Sequence, residues 1–253
     1  MIVRVLKGLY MFFMFAVFGI GILIEIIFIF PFMLIIEKIQ GRDQLRMQKV
    51  HRILFTIWLF LMRIGGLIRS KPSKGHICQK PCVIIANHPG LFDVIFLIKE
   101  IPHLSVLVKR SLSRKLPIAP LLRLSGYVLS PDNLTISPVK SLQNAVNRLN
   151  NGYKFQIFPE GTRSPVNELL PFHAGAFKIA QSTNVPIQPV LIRNDPPFLP
   201  KGTPWYLPPK EISEIELEYL EPIPPPKKDE LRKVVKEIED RYRKELNIEA
   251  SVK

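Results

Sequence analysis

Two short runs of this chain hold side chains that could do chemistry together. In Ala86-Asn87-His88-Pro89-Gly90-Leu91-Phe92-Asp93, a histidine is followed by a carboxylate at HxxxxD spacing. The apolar run Val83-Ile84-Ile85 just before it reads as a buried parallel strand, and Pro89 suits the first position of a helix, where its missing N–H would be unpaired anyway. His88 is therefore expected at a strand-to-helix corner, with Asp93 in the early turns of the helix. From there the carboxylate reaches back to one imidazole nitrogen, fixes the tautomer and favours the imidazolium. The other ring nitrogen is left to take a proton. Further along, Phe158-Pro159-Glu160-Gly161-Thr162-Arg163-Ser164 follows a second predicted strand. Its glycine permits close approach of a ligand to the backbone, and Arg163 offers a forked set of donors to an anion. The two runs together supply a base, a carboxylate partner and an anion-binding loop.

The same residues resemble the blocks of the glycerophospholipid acyltransferase family. Asn87, His88 and Asp93 meet the NHxxxxD block, residues 158–164 meet FPEGTRS, and Val185-Pro186-Ile187-Gln188-Pro189-Val190 meets VPIxPV. Val108-Lys109-Arg110 echoes a lysine block between the first two. The second block departs: the family usually has an arginine where Gly126-Tyr127-Val128-Leu129-Ser130-Pro131-Asp132 ends in an acid. The resemblance spans about residues 80–220, and agreement of several blocks in order is far more specific than a lone HxxxxD. It implies direct acyl transfer from a thioester to an alcohol without a covalent acyl-enzyme, with His88 as general base and Asp93 orienting it. It also implies an acceptor site built from Asn87, Lys109, Glu160, Gly161, Thr162 and Arg163, Arg163 contacting phosphate. The bland alternative for Glu160 is an ion pair with Arg163. The implied acceptor is a lysophospholipid such as 1-acylglycerol 3-phosphate. If Asp132 faces the pocket, a lysophospholipid with a less negative headgroup, a glycolipid, an aminoacyl lipid or another lipid alcohol is favoured instead. Acyl-CoA or acyl carrier protein would be the donor substrate, and no motif calls for a metal or a redox cofactor. A noncatalytic lipid-binding protein and a hydrolase are the rival readings.

Elements that position these residues fall in the second two thirds of the chain. Strands are predicted over 82–86, 104–108, 127–129, 154–158, 186–192 and 214–219, with helices between most of them. The helix over 139–149 has Ser137 as N-cap and Pro138 at its first position, and Asn150-Asn151-Gly152 ends it. The fold class is α/β, a central mixed, mostly parallel sheet covered by helices, preceded by an N-terminal membrane-associated helical segment. The proline-rich stretch from Asp195 to Pro209 is a long loop, because each proline removes a donor and fixes its own φ. Within it Trp205 and Tyr206 would either meet an acyl channel or membrane, or pin the loop to the body. Residues 1–69 form the membrane-associated segment, 70–80 a linker, 81–225 the α/β domain and 226–253 a surface helix.

The chain has 253 residues, 47% of them hydrophobic, and a net charge of +14. Residues 1–80 hold twelve Lys or Arg against three Asp or Glu, so +9 of that charge accompanies the apolar segments. An anionic membrane surface suits this distribution. Nucleic-acid binding is discounted, because no recognition motif accompanies the charge. From Leu9 to Ile36 the chain is almost uninterruptedly apolar, longer than the roughly 20 residues that cross a bilayer. It either spans as one helix or folds at Gly19-Ile20-Gly21 or Pro31 into a hairpin entering one leaflet. If it spans, Lys38, Arg42, Arg46, Lys49 and Arg52 outnumber Arg4 and Lys7, which puts the catalytic domain on the cytoplasmic face. The second apolar segment, residues 53–62, is read as a helix lying in the interface with Trp58 near headgroup level, or else as a core helix. Cys78 and Cys82 are read as a reduced pair without metal.

Overall fold

Strand side chains alternate between two cores, and this alternation sets the layers. The structure, a computed structural model, describes residues 2–40, 44–114, 122, 125–130 and 138–248. Its strands are β1 (Ile68–Ser70), β2 (Val83–Ala86), β3 (Leu104–Val108), β4 (Val128–Leu129), β5 (Lys154–Ile157), β6 (Ile187–Asp195) and β7 (Ser213–Tyr219). They form one sheet in the order β1-β7-β6-β2-β5-β3-β4, every neighbouring pair parallel except β6 and β7. The mixed, mostly parallel sheet is thus as expected. β2 is buried along its whole length, and its odd and even residues part company. Val83 and Ile85 join the core with Phe155, Ile157 and Phe177, whereas Ile84 and Ala86 join Phe96, Leu97, Val106 and Leu217. Two covered faces explain why β2 reads as a continuous apolar run. β7 instead alternates Ser213, Ile215, Leu217 and Tyr219 inward with partly exposed Glu214, Glu216 and Glu218 between them, the period-two pattern of a strand with one wet face.

Helices α1 (Ile2–Ile24), α2 (Phe30–Gln40), α3 (Gln44–Ile64) and α4 (Asp93–Glu100) precede α5 (Pro138–Asn150), α6 (Gly175–Thr183) and α7 (Leu231–Glu245). α1 runs into α2 through a π-helical turn at Glu25–Ile29, where Phe30 donates its N–H to the Glu25 carbonyl. Neither Gly19–Gly21 nor Pro31 folds the chain back. Pro31 has no N–H and its ring crowds the preceding turn, and the wider π turn just before it absorbs that misfit without a break. The return is made by α3, which lies antiparallel to α1: Trp58 Nε1 donates to the Met14 carbonyl at 3.0 Å, and Tyr10 Oη to that of Leu61 at 2.8 Å. The stretch Arg4–Met33 is long and apolar enough to cross a membrane, and most of it is left uncovered by the rest of the protein.

The packing bears on three further expectations. Of the two readings of residues 53–62, Trp58 follows the core helix and is not at a free surface. Phe55, Trp58, Leu59 and Met62 of α3 face inward, and the Trp58 ring meets Phe92 edge-on at 4.7 Å. Ile53, Ile57, Phe60 and Ile64 form a second, exposed apolar row, so the helix is apolar on two sides and its sequence does not reveal which side is the core. Residues 68–70 are an edge strand against β7, where the boundary of a membrane segment and the start of a linker were expected. The C-terminal helix α7 buries Ile238, Glu239 and Tyr242, so it belongs to the body of the domain. α5 covers the expected helix, and Gly152 just after it has φ of +84°. The Ser137 cap and Asp132 lie outside the described residues.

Candidate active site

β2, β3, β5 and β6 run in one direction, so the loops after them open on a single edge of the sheet. His88 follows β2, Lys109 follows β3, and residues 158–164 follow β5. Ligands of open α/β sheets bind outside this carboxyl edge. Because β2 and β5 are neighbours, the histidine block and the Glu-Gly-Thr-Arg block come together. Lys109, one strand further out, is exposed.

The His88 Nδ1 and Asp93 Oδ2 atoms are 2.8 Å apart. The histidine side chain retains 18% exposure and the aspartate 1%, so a substrate can meet the ring and not the carboxylate. The His88 ring lies on Phe158 at a centroid distance of 4.0 Å and an interplanar angle of 11°. That stacking fixes the plane in which the nitrogens point. Burial pushes the Asp93 carboxyl above its ordinary range, against the pull of His88, the Gly90 N–H and the Asn194 amide. Helix α4 begins at Asp93 itself, and Pro89 lies in the turn before it, short of the first helical position expected for it. Asp93 Oδ2 accepts the Gly90 N–H at 2.7 Å, so this turn is held by the same carboxylate that holds His88.

Gly90 was not singled out by its sequence. A β-carbon there would come within 2.6 Å of Asn194 Nδ2 and 2.7 Å of the Phe198 carbonyl. The requirement comes from the far end of β6 and the loop beyond it, which a local reading does not contain. Asn87 is 4% exposed. Its Oδ1 accepts the Ile192 N–H at 2.8 Å, and its Nδ2 donates to the Ile192 carbonyl at 3.0 Å. The amide therefore continues the β2–β6 ladder one residue past its end, which is where the structure puts this expected substrate contact.

Glu160 is buried and bonds both blocks. Its Oε1 accepts the His88 backbone N–H at 2.9 Å, and its Oε2 accepts the Leu170 N–H at 2.8 Å and the Ser164 hydroxyl. The Ser164 N–H in turn donates to the His88 carbonyl at 2.9 Å. Burial raises the Glu160 carboxyl, opposed by those donors. Glu160 makes no ion pair with Arg163 among the described contacts. Arg163 instead donates through Nη1 to the Leu199 carbonyl at 2.9 Å, at the start of the proline-rich loop. Gly161 has φ of +70° and is exposed, with half-buried Thr162 beside it. Tyr242 of α7 supports the site from beneath: its hydroxyl donates to the Ile85 carbonyl at 2.9 Å and accepts the Val190 N–H at 3.0 Å. No group of three or more His, Cys, Asp or Glu side chains suited to a metal ion occurs among the described residues.

A carboxylate-held histidine at the carboxyl edge of such a sheet, bonded to a Glu-Gly-Thr-Arg loop, defines an acyltransferase-type α/β domain. The chain belongs to the Acyltransferase family, whose model matches residues 62–193. It is 32% identical over 114 residues to human 1-acyl-sn-glycerol-3-phosphate acyltransferase beta, covering 44% of this chain and 41% of that protein. It is 33% identical over 141 residues to the 1-acyl-sn-glycerol-3-phosphate acyltransferase of Saccharomyces cerevisiae, covering 51% and 44%. The matched region therefore spans less than half the length of these two relatives. In structure the chain is similar to the 1-acyl-sn-glycerophosphate (LPA) acyltransferase PlsC from Thermotoga maritima, with a TM-score of 0.67, 26% identity and 98% of each chain covered.

Proposed function

We propose that this protein transfers a fatty acyl group from a thioester to the hydroxyl of a lysophospholipid such as 1-acylglycerol 3-phosphate. The observation that carries the reading is the 2.8 Å contact of His88 Nδ1 with buried Asp93, which leaves Nε2 as the nitrogen for substrate. The acceptor hydroxyl gives its proton to Nε2 as its oxygen adds to the thioester carbonyl. The tetrahedral intermediate then expels the thiolate, which takes the proton from the imidazolium, and no acyl-enzyme forms. Asp93 holds the ring and stabilises its positive charge in the transition state. Arg163, with Gly161 and Thr162 beside it and Lys109 on the same edge, supplies the anion site for acceptor phosphate. Glu160 and Asn87 are assigned to holding the two loops and the strand ends in register. The donor is an acyl-CoA or an acyl carrier protein thioester.

Membrane attachment is assigned to the hairpin of α1–α2 with α3. Leu9, Phe13, Ile27, Phe28, Phe32 and Ile57 are all about half exposed or more, a larger apolar surface than soluble monomers usually present. The basic residues behind the hairpin would keep the catalytic domain on the cytoplasmic face. The test is mass-spectrometric product analysis of the full chain with an acyl thioester and lysophosphatidate in mixed micelles. A diacyl product with stoichiometric free thiol is expected, and free fatty acid alone would make the protein a hydrolase.

A further inference from the structure

Arg163 is the one cation of the Glu-Gly-Thr-Arg loop, and Lys109 stands one strand further out, so the charge of the proposed acceptor is incompletely matched beside Arg163. A phosphate monoester carries about −1.5 to −2 at pH 7, and residues 126–132 contain no cation. A second source of positive charge lines a cleft that includes Leu199 and Pro200, the two residues whose carbonyls Arg163 approaches. This cleft, of about 420 Å³, is formed mainly by the proline-rich loop and bordered by Val166, which follows the Glu-Gly-Thr-Arg block. Phe198, one residue before Leu199, accepts the Leu91 N–H from inside the His88–Asp93 segment at 3.3 Å. The proline-rich loop that forms the cleft is therefore hydrogen-bonded to both site loops. Arg4 and Lys210 line it, with Glu211 as the acid among the lining residues. Neither Arg4 nor Lys210 is engaged by another side chain among the described residues.

Helical spacing places Arg4 there. On α1, residues 4, 8, 12 and 15 share a face. A β-carbon at Gly8 would meet Pro208 at 3.7 Å, and Phe12 and Phe15 pack on Trp205 at 5.8 and 5.1 Å. Trp205, Tyr206 and Leu207 remain exposed beside that contact, as do Leu6 and Leu9 on α1. Exposed apolar groups thus surround a cationic cleft, the arrangement met where headgroups sit between lipid and water. A neighbouring cleft of about 500 Å³ has the opposite balance. Lys7 and Arg69 line it together with Asp195, Glu211 and Glu214, and Arg69 is already paired to Glu214 at 2.9 Å.

The geometry points to the first cleft as the acceptor's headgroup site, with Arg4 and Lys210 sharing the phosphate monoester with Arg163. This rests on the acyl-transfer reading for the identity of the lipid, and its ligand chemistry stands apart from that reading. The N-terminal helix then does more than attach the protein, since it contributes a substrate-binding cation.

The test is ³¹P NMR titration of the full chain in zwitterionic micelles with short-chain lysophosphatidate, glycerol 3-phosphate and inorganic phosphate at fixed salt. Arg4→Gln with Lys210→Gln is compared with Lys227→Gln with Lys233→Gln, an equal charge change on and just before α7. The first pair should weaken lysophosphatidate binding by about tenfold or more and the second by less than about twofold, because bonds to a charged partner are the stronger ones. Binding of a phosphate-free monoacylglycerol, measured by Trp205-sensitive fluorescence, should not respond to either pair. Equal losses in both pairs, or a matching loss for monoacylglycerol, would overturn the assignment. Inorganic phosphate bound as tightly as lysophosphatidate would overturn the lipid as its source. In steady-state kinetics the first pair should raise the KM of the acceptor, and a rise confined to the thioester donor would also refute it. Charge-dependent binding without transfer to any acceptor would remove the acyl-transfer reading and leave the cleft. Transfer with binding indifferent to both pairs would remove the cleft alone.

Discussion

At the scale of single residues, the site depends on two buried carboxylates whose protonation is disfavoured by their partners and favoured by their surroundings. On the proposed mechanism the raised Asp93 carboxyl has to be ionised to hold the imidazolium, so activity should fall on acidification at a pH above the ordinary aspartate value of about 3.9. Asp93→Asn keeps the shape, and a kcat/KM profile against pH should show a lower plateau from which the aspartate's own acid limb has gone. Glu160 gives a linked prediction for stability. Its folded carboxyl is raised above the unfolded value of about 4.3, so the folded state holds the proton more tightly. The stabilising contribution of that proton is present below the unfolded value and is lost as pH rises through the folded one. Glu160→Gln should remove this loss from the pH dependence of thermal unfolding. At neutral pH the variant should still be less stable by about 1–3 kcal/mol, because one amide oxygen cannot receive the His88, Leu170 and Ser164 donors together. His88 and Asp93 were legible because their spacing around a strand-to-helix corner is local information. The need for glycine at position 90 was not, since it is imposed by Asn194 and Phe198.

At the scale of elements, the strands were legible where composition matched a two-sided or one-sided environment, as in β2 and β7. In the tail helix the charge pattern of a surface helix hides an inward residue, and only the packing shows that Tyr242 is fully buried. Its hydroxyl meets a carbonyl 157 positions earlier in the chain. Tyr242→Phe leaves the ring in place and orphans the Val190 N–H and the Ile85 carbonyl between the strands that carry the site. Thermal or denaturant unfolding should show a loss of about 1–3 kcal/mol. Unchanged stability would mean that water replaces the hydroxyl in that gap. α3 carries a similar lesson. Its two apolar rows are alike in sequence, and the choice of Phe55, Trp58 and Met62 as the inward set depends on Phe92 of the histidine block.

At the scale of the whole molecule, the N-terminal hairpin and the α/β body share one core. Removing residues 1–69 would not release a more soluble domain, because it strips α3 from Phe92, Phe96 and Leu97 and β1 from the sheet edge. Loss of Trp58 alone from such a site is worth about 3–5 kcal/mol, so the truncated chain should aggregate or be digested rapidly by protease. A less invasive probe of attachment is Ile57→Glu with Phe60→Glu, which alters only the exposed row of α3. Sedimentation with anionic liposomes should fall while the unfolding temperature stays close to that of the unaltered chain. That residues 1–69 share a core with the body could not be read from hydropathy, which reports only that a surface is apolar, a demand that both lipid and protein satisfy.

The most direct measurement is the kcat/KM of His88→Ala for acyl transfer to lysophosphatidate, with circular dichroism and thermal unfolding to show that the fold is retained. General-base assistance is typically worth about 10²–10⁴-fold, and a fall of that size is predicted. Turnover within about twofold of the unaltered protein, in a variant shown to be folded, would contradict the assignment of the histidine held by Asp93 as the base, since so small a change is far below what such a base supplies.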